Sequence, residues 1–143
     1  MEKVHLFPKI IIADDSQNLI NTYVKHFHKI HLDVIATFLN GTDVVEYFES
    51  GKASKDEKLL LLMEDKLPHL SGIDAARKIR ELGFNPIIIL TILGPIATPH
   101  PEELIDAVLQ KPFTVGEFVS LVETLIEANI WPFGLHGSKS HPK

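Results

Sequence analysis

Residues 59–63 read Leu-Leu-Leu-Leu-Met, apolar at every position, with the polar stretch 50–58 before them and Glu64-Asp65-Lys66 after them. A run this short with no polar face predicts a strand buried on both sides, because a half-exposed strand alternates and a helix of this burial runs longer. Ile87-Ile88-Ile89-Leu90 repeats the pattern, and Lys9-Ile10-Ile11-Ile12-Ala13 ends abruptly in Asp14-Asp15. Between these runs lie amphipathic stretches of helical period. Doubly buried strands that alternate with helices predict an α/β domain with a parallel sheet covered on both faces.

The remaining elements follow from periodicity and end signals. Ser16 is placed to cap a helix with Leu19, Ile20, Tyr23, Val24, Phe27 and Ile30 on one face. Residues 32–38 read as the second strand, and Thr42 or Asp43 as the cap of a short helix carrying Val44, Val45 and Phe48. Ser71 opens a helix with Ile73, Ala76, Ile79 and Leu82 inward, and Gly83 closes it. Residues 94–101 hold three prolines and a glycine, so regular structure there is short, with one or two helical turns expected over 102–106. Residues 108–110 form the last strand. Thr114-x-x-Glu117 is a capping box before Phe118, Leu121, Val122, Leu125 and Ile126. The expected organisation is one domain over residues 1–128 and a flexible tail over 129–143, with Trp131 and Phe133 folding back on the core.

Composition removes whole classes of function. The chain of 143 residues has no cysteine, which excludes disulfides, thiolate catalysis and cysteine-ligated metals. Its 14 basic and 19 acidic side chains leave a formal charge of −5, unsuited to gripping phosphate backbones, so no nucleic-acid partner is expected. No apolar run approaches a membrane span and MEKVHLFPK lacks a signal-peptide core, so the expected location is cytoplasmic.

In open parallel sheets the site lies at the carboxyl ends of the strands. That rule selects Asp14 and Asp15, Glu64, Thr91 and Lys111. Three converging carboxylates repel unless a cation joins them, and Mg²⁺ prefers such oxygen ligands. Thr91 and Lys111 suit an anionic oxygen or phosphoryl group, and Pro112 is a candidate for a cis peptide. Each residue also has a plainer reading. The aspartates suit a helix N-terminus, Glu64 and Lys111 suit a solvated surface, and Thr91 suits any strand. The histidines at 26, 28 and 31 read as solvated helix-end residues, and those at 69 and 100 as loop residues without a partner.

In order and spacing, IIIADDS (10–16), LLLLMEDKLPHLSG (59–72), PIIILT (86–91) and QKPFTVGEF (110–118) together resemble the response-regulator receiver domain, over about residues 8–128. The resemblance implies a flavodoxin-like (βα)5 doubly wound sheet in order 2-1-3-4-5. It further implies Mg²⁺ at Asp14 and Asp15, and phosphoryl-oxygen contacts from Thr91 and Lys111. An aspartate ending strand three would accept a phosphoryl group from a histidine kinase. Partners would dock on the short helix after Thr91, strand five and the last helix.

The chain departs from that family's pattern at the decisive position. Four residues before the loop proline, Pro68, stands Glu64 instead of aspartate. Asp65 is adjacent, but successive strand side chains face opposite ways, so one pointing into the cleft leaves the other pointing out. Glutamate's extra methylene carries its carboxylate into the space of a phosphoryl group or metal. Ile92 replaces the small residue after the threonine, and Val108 replaces the aromatic switch residue three before the lysine. The resulting expectation is a stand-alone, non-enzymatic signalling module that is not phosphorylated and works through contacts with a histidine kinase, another signalling protein or itself. The alternative is a working receiver that uses Mg²⁺ and accepts the phosphoryl group on Glu64 or Asp65. A small hydrolase needing a second acid two residues after Asp14 fits poorly, because Ser16 stands there. A flavin module fits poorly because carboxylates after strand one repel a phosphate.

Overall fold

The computed structural model describes residues 7–95, 101 and 103–128. Five parallel strands, Lys9–Ala13 (β1), Val34–Phe38 (β2), Leu59–Glu64 (β3), Ile87–Leu93 (β4) and Ala107–Lys111 (β5), form one sheet in the order β2-β1-β3-β4-β5. Four helices flank it: Gln17–Lys29 (α1), Gly41–Glu49 (α2), Gly72–Glu81 (α3) and Val115–Glu127 (α4). The apolar runs anticipated the covered parallel sheet, and the receiver-domain resemblance implied this doubly wound, flavodoxin-like order.

The leucine run explains the two layers. Leu59, Leu61 and Met63 face one side, where Val44, Val45 and Phe48 of α2 and Ala75, Ala76 and Ile79 of α3 cover them. Leu60 and Leu62 face the other, under Ile20, Tyr23 and Phe27 of α1 and Phe118 and Val122 of α4. All five of these β3 residues are at most 2% exposed, so neither face reaches water. Alternation then puts Glu64 on the α1/α4 side, together with Thr91, which follows Ile87 and Ile89, and Lys111, which follows Ala107 and Leu109.

Local chemistry sets most boundaries. Ser16, Ser71 and Thr114 cap their helices as anticipated, and Thr114 and Glu117 complete the capping box. Gly83 follows the C-cap of α3 with φ +93°, the left-handed region that glycine enters freely. Three readings need correction. The cap of α2 is Asn40, whose side-chain oxygen accepts from the Asp43 N–H at 2.8 Å, so the helix starts at Gly41, before Thr42 and Asp43. β2 begins at Val34 because the Leu32 N–H still closes the end of α1 on the Phe27 carbonyl. Ile30, placed on the apolar face of α1, is its C-cap and is 40% exposed. Over 101 and 103–106 there is a single turn, within the one or two anticipated, the Leu104 and Ile105 N–H groups both donating to the Pro101 carbonyl.

Asp106 anchors this turn to the sheet and to α3. Its carboxylate accepts from the Ile88 N–H at 2.8 Å and from the Arg80 guanidinium at 3.2 Å, while Arg80 also donates to the Pro86 and Leu104 carbonyls. The rest of the segment, 96–100 and 102, and the tail 129–143 with Trp131 and Phe133 lie outside the described residues.

Gly72 holds the turn that follows Glu64. Its N–H donates to the Asp65 carbonyl at 2.8 Å, and an added Cβ would lie 2.6 Å from the Glu64 carbonyl oxygen and 3.2 Å from the Asp65 Cα. Backbone atoms cannot yield as a flexible side chain does. Gly72→Ala is therefore expected to destabilise the domain by about 2 kcal/mol, in the overpacking range. Gly116, on the first turn of α4 with an open Cβ position, is the contrast: Gly116→Ala should be neutral or stabilising by up to about 1 kcal/mol. Urea denaturation of both variants against the parent protein checks the pair.

Candidate functional site

The carboxyl ends of β1, β3 and β5 meet in one cleft. Asp14 and Asp15 follow directly on β1, and Ser16 starts α1, so the acidic pair lies between a strand end and a helix N-terminus. Asp14 is 2% exposed. Its Oδ1 accepts from the Ser16 N–H at 2.9 Å and its Oδ2 from the Lys111 Nζ at 3.1 Å. Lys111 ends β5 and precedes Pro112 across a cis peptide. Its ammonium also lies 3.7 Å from Glu64 Oε2. The other Glu64 oxygen, Oε1, accepts from the Asp15 N–H at 3.3 Å. Asp14, Asp15, Glu64 and Lys111 thus converge as their strand ends predicted.

The electrostatics are unbalanced. Oxygens of Asp14, Asp15 and Glu64 lie within 4.8 Å of one another, and the Lys111 ammonium reaches two of these acids, Asp14 and Glu64. Burial raises the Glu64 carboxyl to about 7, with Asp14 and Asp15 adding to the rise, and the Asp15 N–H and Lys111 opposing it. An all-oxygen set short of positive charge fits a hard divalent cation such as Mg²⁺. The Asp14–Lys111 pair is well buried, so removing either partner would leave the other's charge uncompensated.

One anticipated residue sits differently. Thr91 is 2% exposed and is the Cα partner of Glu64 in the β3–β4 register, but it does not line the cleft. It is not a strand end either: Ile92 and Leu93 continue β4 because Gln110 and Lys111 offer them a partner strand. Val108 is half-buried on the opposite face of the sheet, packed against the α2/α3 core. Asp65 lies outside the acidic group and the cleft. Its N–H donates to the Thr91 carbonyl and its carbonyl accepts from Gly72. His26, His28 and His31 are exposed.

Tyr23 was legible only as a core residue. It lines the cleft beside the acids, stacked between Phe27 at 5.9 Å and Phe113 at 5.4 Å. No spacing in the sequence reports that proximity, since Phe113 is 90 residues away.

The raised Glu64 carboxyl has a consequence for stability. The folded protein holds that proton up to about pH 7, whereas an unfolded glutamate releases it near 4.5. Below the lower value both states are protonated and the group contributes nothing. As pH rises from 4.5 to 7 the folded state binds more protons than the unfolded one, so stability falls, and above 7 the loss is complete. Relative to Glu64→Gln, the parent protein in metal-free buffer should lose about 1–2 kcal/mol between pH 5 and pH 8. Denaturant melts of both proteins across that range test the sign.

Comparison with known proteins agrees with this geometry. The profile of the response regulator receiver domain matches residues 10–123. The transcriptional regulatory protein PdtaR of Mycobacterium tuberculosis is 23% identical over 120 residues, covering 82% of this chain and 56% of PdtaR, so the chain spans about half that relative's length. The two-component response regulator ARR22 of Arabidopsis thaliana is 25% identical over 138 residues, covering 88% of each chain. The CheY-like receiver domain structure from Methanospirillum hungatei superposes with a TM-score of 0.67 at 16% identity, covering 85% of this chain and 95% of that one, and it supports the fold. With a family match over most of its length and the sheet order to go with it, the chain belongs to the response regulator receiver domain family of two-component signalling.

Proposed function

We propose that this receiver domain does not switch by phosphorylation, because Glu64 stands in for a phosphorylated aspartate, and that it signals through protein contacts. The observation that carries the reading is the placement of the Glu64 carboxylate, 3.7 Å from the Lys111 ammonium and hydrogen-bonded by the Asp15 N–H. In a phosphorylatable receiver the shorter aspartate leaves that space for the phosphoryl group. Here an extra methylene fills it with a carboxyl oxygen, negative above about pH 7. Attack on a phosphodonor would break both contacts and push a third anion against Asp14 and Asp15.

Asp14, Asp15 and Glu64 are the residues that would hold Mg²⁺, which when bound supplies charge neutralisation. Lys111 already supplies part of it from within the chain. We assign the cleft no catalytic step. Val108 packs into the core where the family's aromatic switch residue would stand, which favours a fixed output surface. That surface would comprise β5, α4 and the segment between Thr91 and β5, and its partner a histidine kinase, another signalling protein or a second copy of the chain. The formal charge of −5 disfavours nucleic acid, and no helix among the described residues is long and apolar enough to cross a membrane.

Incubation with acetyl phosphate, or with beryllium fluoride and Mg²⁺, tests the reading by intact mass and fluorine NMR. The parent protein should form no adduct, and Glu64→Asp should form one. A stable acyl phosphate or fluoride adduct on the parent protein, on Glu64 or on Asp65, would overturn it in favour of a working acceptor.

A further inference from the structure

The acidic cleft does not end at its charged groups. It continues into a cavity of about 750 Å³ between α1 and the loop that leads from β5 into α4. This volume lies within the range that encloses a small organic ligand. Leu19, Phe27, Leu93, Phe113 and Val115 give it an apolar wall, while Asp14, Asp15, Glu64 and Lys111 stand at one edge. Leu93 reaches this wall because β4 runs two residues past Thr91, and it is 75% exposed.

Tyr23 joins the two parts. It is 8% exposed, it lines the cavity, and its ring is held by stacking on Phe27 and Phe113. Its hydroxyl makes no hydrogen bond among the described residues. It lies near enough to Asp14 and Glu64 that their charges, added to burial, push its pKa above the ordinary tyrosine value. It therefore stays a neutral hydroxyl on a rigidly held ring. The hydroxyl is open to solvent at the cavity, where a ligand atom can bond to it in place of water.

We propose that this cavity binds a small amphipathic organic cation, an amine with an aromatic or branched apolar body. The ammonium would stand at the acidic edge and the body would lie against the Phe113, Leu19 and Val115 wall. The sign follows from the charges: Asp14 and Asp15 outnumber the Lys111 ammonium, so the edge is net negative even while Glu64 holds its proton. An ammonium brings three donors, and Asp15, Glu64 and the Tyr23 hydroxyl offer acceptors. A carboxylate ligand would meet the same edge with repulsion. The inference goes beyond the proposed function and does not depend on whether Glu64 can be phosphorylated.

The probe is 2-phenylethylammonium, titrated into the full chain and followed by NMR shifts and calorimetry, with 3-phenylpropanoate as the charge-reversed control of similar shape. Saturable binding of the amine is expected, at least about tenfold tighter than the anion. Tyr23→Phe keeps the stack and removes only the hydroxyl, so it should weaken the amine by about three- to tenfold. Thr22 is an exposed residue of α1 on the cavity rim. Thr22→Trp, checked by its melting curve, should fill the space and abolish binding in a folded protein. Equal binding of amine and anion, absence of saturable amine binding, or undiminished binding to folded Thr22→Trp would each overturn the proposal.

Discussion

Burial of β1, β3 and β4 on both faces is the constraint from which the site follows. A strand covered on both sides cannot carry charge along its length, because each buried ion would cost far more than its packing returns. Polar chemistry is displaced to the strand ends, where the apolar runs stop. Asp14, Glu64 and Lys111 each stand at or next to the last residue of a strand. Parallel pairing brings those ends to one edge, and alternation turns Glu64 and Lys111 to the same side.

The meeting of those ends creates an electrostatic problem that the chain solves only in part. Lys111 reaches two of the three acids and takes its shorter contact with Asp14. Glu64 receives less help, one ammonium at 3.7 Å and one backbone N–H at 3.3 Å, against burial and two neighbouring carboxylates. That shortfall holds its proton to about neutral pH. The methylene that distinguishes glutamate from aspartate lets the group reach Lys111 and the Asp15 N–H at once. Glu64 thereby links the ends of β1, β3 and β5.

The second half of the domain departs from the regular alternation. The described part of the connection between β4 and β5 is a single turn, held by Asp106 to Arg80 and to the Ile88 N–H. This anchor joins α3, β4 and the connecting segment through groups far apart in the chain. The proline-rich composition announced short structure there. Nothing local announced that Arg80 would supply the tie, because an arginine near the end of a helix ordinarily points to water.

Much of the domain was legible from local rules. Apolar runs located the strands, side-chain oxygens at Ser16, Ser71 and Thr114 located helix starts, and the strand-end rule collected Asp14, Asp15, Glu64 and Lys111. Asn40 was missed because Thr42 and Asp43, close after it, are also capping residue types, and the extended backbone at Asn40 decides the start of the helix. Thr91 was misplaced because a strand's end depends on its neighbour: β4 continues as far as Lys111 lets it pair. The sequence by itself determined the layers, the strand ends and the presence of a glutamate where an aspartate was expected, since all three depend on residue type and short spacing. Only the tertiary structure decided which acid Lys111 binds, how strongly Glu64 holds its proton, and that Tyr23 faces the cleft. Those properties depend on distances between residues remote in the chain, and charge and burial act through space.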